Sequence, residues 1–95
     1  MKIQIQAIHF SVKNELKKFI NKHIDKLTIL DDKVISVEVF LKLAKVESYN
    51  NKIVEIRLHS SSAEYFAKKQ SDSFEESVDL VSQALRKQIL KSKSK

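Results

Sequence analysis

The chain has 95 residues and a formal net charge of +6, with 42% hydrophobic and 32% charged residues. This length allows one hydrophobic core, so we expect residues 1–95 to form one domain, with a basic tail over 90–95 that is prone to fraying. The composition is typical of neither a disordered nor a membrane-spanning chain. The positive charge favours an anionic partner, most commonly nucleic acid, and the alternative is a basic surface that merely keeps the domain soluble.

Cysteine, glycine and proline are all absent from the sequence. Without cysteine, disulfides and thiolate metal sites are excluded, and a cytoplasmic location fits. Without glycine, phosphate-cradling glycine loops are excluded as well. The opening residues 1–10 alternate polar and apolar side chains, which predicts a strand and not a signal peptide.

Periodicity divides the first half of the chain into a strand, a helix and a second strand. Residues 2–7 alternate in character, which predicts a half-buried strand. Ser11 or Asn14 is the expected N-cap of the helix. Its apolar residues recur every three or four positions: Leu16, Phe19, Ile20, Ile24 and Leu27. The pair Asp31-Asp32 ends this pattern and is expected to cap or solvate a turn. The next strand has a predicted apolar face of Ile35, Val37, Val39, Leu41 and Leu43.

Two more strands and a second helix complete the chain. The polar turn 47–51 precedes a strand with Val54, Ile56 and Leu58 on its apolar side, and the turn 60–62 precedes a short strand over 63–68. The second helix has a capping box in one of two registers, Asp72 with Glu75 or Ser73 with Glu76. Its apolar stripe consists of Phe74, Val78, Val81, Leu85 and Ile89. The residues after Asp79 include five cations and no acid. Complementarity to the helix dipole explains part of this polarity.

The element order is therefore β-α-β-β-β-α. Two amphipathic helices can cover one face of a four-stranded sheet, so the sequence predicts an α+β two-layer sandwich with both helices packed on one face. Strands joined by short turns pair antiparallel, whereas the first strand, separated by a helix, can pair parallel. The predicted sheet is therefore mixed.

No combination of residues in the sequence indicates catalysis, a metal site or a cofactor. The three histidines, His9, His23 and His59, lack the spacing of a zinc site. We expect His23 to pack beside the apolar stripe of the first helix and His9 to be available for contact with RNA. Aromatic residues in and beside the strands are interpreted as core or cross-strand partners, with base stacking as the alternative: Tyr49, Tyr65 and Phe66.

Short motifs in both helices and in the connecting turn form a pattern that runs along the chain. The first helix carries Leu16-Lys17-Lys18-Phe19-Ile20 and Lys26-Leu27. Asp32-Lys33-Val34 leads into a long strand with Lys42, followed by Lys45. The closing helix carries Val78-Asp79, Leu85, Lys87-Gln88-Ile89, Lys91 and Lys93, similar to an I-D-x5-L-x-R-Q-L-x-K-x-K pattern. In these residues the chain resembles the short form of the ribosome hibernation-promoting factor and ribosome-associated inhibitor A family, which is sigma-54 modulation protein-like. Ala7 and the turn 60–62 stand where that family has glycine.

The resemblance implies a non-enzymatic cytoplasmic factor that binds the small ribosomal subunit in the decoding channel between head and body. There it would block tRNA and mRNA sterically during stress or stationary phase. The implied partner is ribosomal RNA, with neighbouring ribosomal proteins as further contacts. Long-form members continue into a dimerising domain beyond the point where this chain ends, so the expected state off the ribosome is a monomer.

Lysines of the first helix and cations at the end of the second are expected to become neighbours, because both helices cover the same sheet face. With two lysines that the resemblance adds, Lys33 and Lys42, the predicted RNA contacts are Lys17, Lys18, Lys22, Lys26, Lys33, Lys42, Arg86, Lys87, Lys91 and Lys93. The sequence has only two arginines, so we expect recognition of the phosphate backbone and of RNA shape. The alternative is a general structured-RNA-binding or protein-interaction module without ribosome specificity.

Overall fold

The computed structural model describes residues 1–44 and 50–93. Its elements, in chain order, are β1 (Lys2–Ala7), α1 (Asn14–Leu30), β2 (Val34–Leu43), β3 (Lys52–Ser60), β4 (Glu64–Ser71) and α2 (Phe74–Lys93). The predicted order β-α-β-β-β-α is thereby confirmed, with β4 three residues longer than expected at its end. Lys45, Tyr49 and most of the predicted turn 47–51 lie outside the described residues.

The four strands form one mixed sheet in the order β1-β2-β3-β4. β1 pairs parallel with β2, in a register that places Ile3 beside Val37. Such a parallel pair needs a crossover connection, and α1 supplies it. The β2–β3 and β3–β4 pairs are antiparallel. The mixed α+β sandwich predicted from the sequence is confirmed.

The core lies between the sheet and the two helices. In β2 and β3 every second side chain faces the helices, and these side chains are fully buried: Val37, Val39, Leu41, Val54, Ile56 and Leu58. The helices contribute buried residues at the predicted spacings of three and four: Ile20, Ile24, Leu27, Val78, Val81, Leu85 and Ile89. Because the helices cover only one face, the alternate strand residues form an open sheet face on the other side.

Helix capping follows the prediction at α2 but not at α1. The backbone N–H of Glu76 donates to Ser73 Oγ at 3.0 Å, so Ser73 is the capping residue and the second of the two registers is correct. At α1 the expectation of Ser11 or Asn14 is wrong, because the N-cap position is Lys13. Among the described residues, no side-chain hydrogen bond caps that end. Asn14 is already the first helical residue, and Ser11 lies two positions before the N-cap.

Two residues of β2 do not lie on the buried face to which the alternation assigned them. Ile35 is 61% exposed and Leu43 is 50% exposed. The pairing register of β2 with β3 shifts between Val34 and Ser36, which turns Ile35 away from the core. Leu43 is the last residue of β2 and pairs with Lys52, the first residue of β3, so its exposure marks the end of the buried alternation.

A glycine-free chain must place other residues where the backbone needs a positive φ. Within the described part of the chain, His9 has φ 69° and Asn50 has φ 62°. Histidine and asparagine are among the residues that tolerate this left-handed region best. Asn50 is also held by hydrogen bonds, because its N–H donates to Asp72 Oδ1 at 2.6 Å and its carbonyl accepts from Gln70 Nε2 at 2.7 Å.

The free edge of β4 is covered by a side chain of α2. Gln88 Oε1 accepts a hydrogen bond from the N–H of Phe66 at 3.2 Å, and Gln88 Nε2 donates to the carbonyl of Phe66 at 2.7 Å. The side-chain amide therefore replaces a neighbouring strand at this residue. Covering an edge in this way protects the sheet against pairing with another chain.

Candidate RNA-binding surface

The two helices lie side by side and run in the same direction. At their beginnings, the ring of Phe10, just before α1, stacks on Phe74 with 5.2 Å between centroids. At their ends, Asp31 and Lys93 line one pocket, and Lys93 is close enough to lower the pKa of Asp31. Both helix C-termini therefore lie at the same end of the domain.

This arrangement brings cations from distant parts of the sequence together. Lys26 of α1 and Arg86 of α2 line one groove of about 190 Å³ between the helices, which we call the interhelical groove. Lys33 and Lys93 line a neighbouring pocket of about 370 Å³ where the helices end. We define the basic surface as eight exposed cations of the two helices and of the turn after α1: Lys18, Lys22, Lys26, Lys33, Arg86, Lys87, Lys91 and Lys93. All eight belong to the predicted set of RNA contacts.

Complementarity to the helix dipole accounts for only part of the basic surface. Lys91 and Lys93 lie in the last turn of α2, where a cation stabilises the helix end. Lys87 is six residues before the end of α2, which is about 9 Å along the axis and beyond the range of that effect. In α1, none of the basic residues lies in the last turn. The positions of Lys22, Lys26 and Lys87 therefore need another explanation.

Carboxylates on the same side of the molecule do not neutralise the basic surface. Residues 18–33 and 79–93 contain eight cations and four carboxylates. One of these carboxylates, Asp31, is buried, with 4% of its surface exposed. Asp79 accepts a hydrogen bond from Gln83 Nε2 at 3.1 Å. The net charge of these two segments is therefore positive.

Asp31 fixes the turn that carries Lys33. Its Oδ1 accepts from the N–H of Lys33 at 2.9 Å, and its Oδ2 accepts from the hydroxyl of Tyr65 at 3.4 Å. Burial by itself raises the pKa of Asp31, but hydrogen bonds from Lys33, Ser60 and Tyr65, together with the charge of Lys93, hold that pKa below its ordinary value. The expected turn cap is present, and Tyr65 belongs to the core as predicted.

Two predicted contacts lie away from the basic surface. Lys17 lines a shallow pocket with Ile3 and Ile5, on the side of α1 that faces the edge strand β1. Lys42 lies on the open sheet face, where its Nζ is 2.8 Å from Glu55 Oε1. Lys17 and Lys42 remain predicted RNA contacts, but a flat RNA surface resting on the helix ends would not reach Lys42.

The charges of the open sheet face are paired with one another. Glu55 contacts Lys68 at 3.7 Å in addition to Lys42. The guanidinium of Arg57 lies 5.1 Å above the ring of Phe66, as a cation–π contact. His59 bridges two carboxylates, with Nε2 2.7 Å from Glu38 and Nδ1 2.9 Å from Glu64. These cations are therefore already engaged with neighbours on the same face.

Sequence reasoning missed the role of His59. Glu64 is its direct cross-strand partner in the β3–β4 hairpin. The pairing of His59 with Glu64 could therefore have been predicted from the hairpin register. The contact with Glu38 is diagonal, because His59 pairs with Ser36 and Glu38 pairs with Arg57. His23 behaves as expected: its ring packs on Phe19 with 4.6 Å between centroids, and burial lowers its pKa.

The His59 bridge predicts a stability that depends on pH. Only the imidazolium can donate from both ring nitrogens at once, and the hydrogen bonds to Glu38 and Glu64 raise the pKa of His59. The stabilisation is complete below the unfolded pKa of about 6.5 and is lost as the pH rises through the higher folded value. In urea unfolding, His59→Gln should therefore lower the free energy of unfolding more at about pH 5.5 than at about pH 8.5.

A matched control for this prediction is His9→Gln. Lys2, at the start of β1, pairs with Ser36, which pairs with His59. His9 follows the other end of β1 and therefore lies away from the His59 bridge. The control should leave the pH dependence of the wild type in place. A His59→Gln variant whose stability loss is the same at both pH values would show that the bridge is not charged in the folded protein.

Comparison with known proteins agrees with this geometry. Residues 3–95 match the family described as Sigma 54 modulation protein / S30EA ribosomal protein. The chain belongs to this family. A ribosome hibernation promoting factor from Azotobacter vinelandii is 26% identical over 95 residues, which make up 100% of this chain and 85% of that protein. The family resemblance drawn from the sequence motifs is thereby confirmed.

Two solved structures share this fold. A ribosomal subunit interface protein from Coxiella burnetii is similar with a TM-score of 0.88 at 22% identity, covering 100% of both chains. The N-terminal domain of Protein Y from Thermus thermophilus is similar with a TM-score of 0.76 at 15% identity, covering 93% of this chain and 91% of that one. At these identities the likeness concerns the fold.

The helices of the described residues are both amphipathic, and neither is long and apolar enough to cross a membrane. Within residues 1–44 and 50–93, no three histidine or carboxylate side chains form a group that could hold a metal ion.

Proposed function

We propose that the protein is a ribosome hibernation factor that inhibits translation by binding the small ribosomal subunit. It occupies the decoding channel between head and body, and its folded domain excludes tRNA and mRNA sterically. It acts in the cytoplasm, without catalysis, as a monomer off the ribosome, during stress or stationary phase. Ribosomal RNA is the main partner, and neighbouring ribosomal proteins make additional contacts.

The observation that carries the proposal is the convergence of exposed cations on the helix ends of a family member. Lys26 and Arg86 meet across the interhelical groove, and Lys33 and Lys93 meet beside it. The ion pairs of the open sheet face make that face a poorer partner for a polyanion. A domain with one cationic face, and a second face whose charges pair with one another, suits a channel walled by RNA.

The chemistry of the cations favours recognition of shape over recognition of sequence. Seven of the eight residues of the basic surface are lysines. An ammonium group neutralises phosphates as a point charge, whereas reading a base commonly uses the planar fork of arginine. Such contacts hold folded RNA by its backbone, as expected for a factor that recognises one fixed site on a ribosome.

Sedimentation of the protein with purified small subunits tests the proposal. We expect stoichiometric co-migration at low salt and a steep loss of affinity between about 50 and 200 mM salt, because counterions are released when phosphates are neutralised. Subunits that already hold initiator tRNA and mRNA should bind no protein. Simultaneous stoichiometric binding would place the protein elsewhere on the subunit. Equally tight binding to naked duplex RNA would instead indicate a general RNA-binding module.

A further inference from the structure

The interhelical groove differs from the rest of the basic surface because it is concave and has an apolar floor. Leu27, which is 3% exposed, and the half-buried Leu30 line it beneath Lys26 and Arg86. A backbone phosphate needs no apolar floor, because exposed lysines on a convex helix are enough to hold it. The groove therefore has the character of a site for a ligand with both a charged and an apolar part.

Ser82 forms part of the floor of the same groove. Ser82 is 8% exposed, and its hydroxyl has no hydrogen-bond partner within the described part of the chain. A buried hydroxyl without a partner is costly, at about 1–3 kcal/mol. Ser82 lines the groove with its oxygen buried beneath the surface, so the side chain forms part of the floor and makes no contact with a ligand there.

Charge in the groove is separated along its length. His23 and Asp79 lie at one end, and Arg86 lies at the other. Asp79 and Arg86 are seven residues apart on α2, which corresponds to about 10 Å along the helix axis. Gln83 lies between them and donates to Asp79 at 3.1 Å. The ligand that matches this order has an anionic group at one end and hydrogen-bond donors at the other.

We propose that the interhelical groove binds one unpaired nucleotide of the RNA that the basic surface contacts. The phosphate lies between Lys26 and Arg86, and the base rests on Leu27, toward Asp79. An exocyclic amino group of the base donates to the Asp79 carboxylate. This inference rests on the proposed function. It adds that one site on the basic surface recognises a base as well as the RNA backbone.

The carboxylate of Asp79 makes the site selective among bases. A carboxylate accepts from an amino group, whereas it repels a carbonyl oxygen in the same place. Cytosine and uracil differ at this point, with an amino group in cytosine and an oxygen in uracil. We therefore expect the groove to prefer a base that carries an amino group over uracil, by about tenfold, since a hydrogen bond to a charged acceptor is among the stronger ones.

Titration of the protein with CMP and UMP, followed by amide NMR shifts, tests the proposal. CMP should shift the resonances of Ser82 and Gln83 and bind about tenfold more tightly than UMP. Cytidine should bind more weakly than CMP because it lacks the phosphate that contacts Lys26 and Arg86. Inorganic phosphate that shifts the same resonances with the affinity of CMP would overturn the inference, since it would show an anion site without base recognition.

Variants test the role of each end of the groove. Asp79→Asn changes an exposed residue and should remove the preference for CMP over UMP. Arg86→Gln should weaken CMP and UMP alike, by about threefold or more, because both carry the phosphate. Lys69→Gln removes an exposed lysine of β4 outside the groove and should change neither affinity.

Filling the groove is the remaining test. Ser82→Leu should abolish nucleotide binding, and Ser82→Ala, which removes only the hydroxyl, controls for the effect of changing a buried position. If Ser82→Leu does not fold, Asp79→Asn decides the question alone: an unchanged CMP preference overturns the inference. Wild-type protein that binds small subunits but whose groove responds to neither nucleotide refutes this inference and leaves the proposed function standing. Nucleotide binding in the groove without binding to small subunits would refute the proposed function and leave the groove as a nucleotide site.

Discussion

Replacing Arg86, Lys87, Lys91 and Lys93 by glutamine should weaken binding to the small ribosomal subunit by roughly a hundred- to a thousandfold at about 0.1 M salt. Each phosphate contact that is lost lowers the slope of log affinity against log salt by about one, so the slope should fall by up to about four. Filter binding or sedimentation across a salt series measures both quantities in one experiment.

The same four substitutions should change the stability of the fold only modestly. All four side chains are exposed, and glutamine has nearly the helix propensity of lysine and arginine. Only Lys91 and Lys93 lie in the last turn of α2, where each well-placed cation contributes about 0.3–1 kcal/mol through the helix dipole. The buried stripe of α2 is untouched. Binding and stability should therefore respond very differently to the change.

A control with the same change in net charge separates local contact from overall charge. Replacing Lys2, Lys52, Lys68 and Lys69 by glutamine removes four cations from the strands and none from the basic surface. We expect this variant to keep most of its affinity and its salt slope. Equal losses in the two variants would show that net charge alone drives the interaction. If the fourfold α2 variant unfolds easily but binds with an unchanged salt slope, its cations stabilise the helix and do not contact RNA.

The fold was predictable from the sequence because its core obeys simple periodicity. Ile20, Ile24 and Leu27 follow a helical period, and Val54, Ile56 and Leu58 follow a strand period, so the buried face of each element could be assigned. The absence of glycine and proline removed the usual turn signals without disturbing these periods. The errors in β2 concern its two ends. A local register shift moved Ile35, and Leu43 is exposed because the buried alternation of β2 ends before its last residue.

The candidate site was predictable in composition but not in arrangement. Lysine rows on α1 and α2 could be read from helical spacing, and the expectation that both helices cover one sheet face is confirmed. The parallel alignment that sets Lys26 beside Arg86 depends on the packing of the two helices, which lies outside local pattern. The ion pair of Lys42 with Glu55 is likewise a cross-strand contact that family motifs do not reveal.

Ile24→Ala should cost about 2–5 kcal/mol of the free energy of unfolding, the usual range for truncating a buried isoleucine to alanine. Ile24 has 0% of its surface exposed and lies in the middle of α1, among the residues that pack against the sheet. A domain of this size has a stability of about 5–15 kcal/mol, so the loss is a large share of the total. Urea unfolding followed by circular dichroism measures it.

Ile29→Ala is the matched control, because it makes the same substitution in the same helix at a residue that is 80% exposed. Both variants gain the same small advantage in helix propensity, since alanine replaces isoleucine in each. Ile29→Ala should therefore stay within about 0.5 kcal/mol of the wild type. The difference between the two losses in the free energy of unfolding therefore measures the effect of burial, because the substitution itself is the same in both variants. Similar costs at both positions would mean that α1 does not pack on the sheet through its Ile24 face. In that case Lys26 would not lie beside Arg86, and the cations of the basic surface would be arranged by a different packing of the helices.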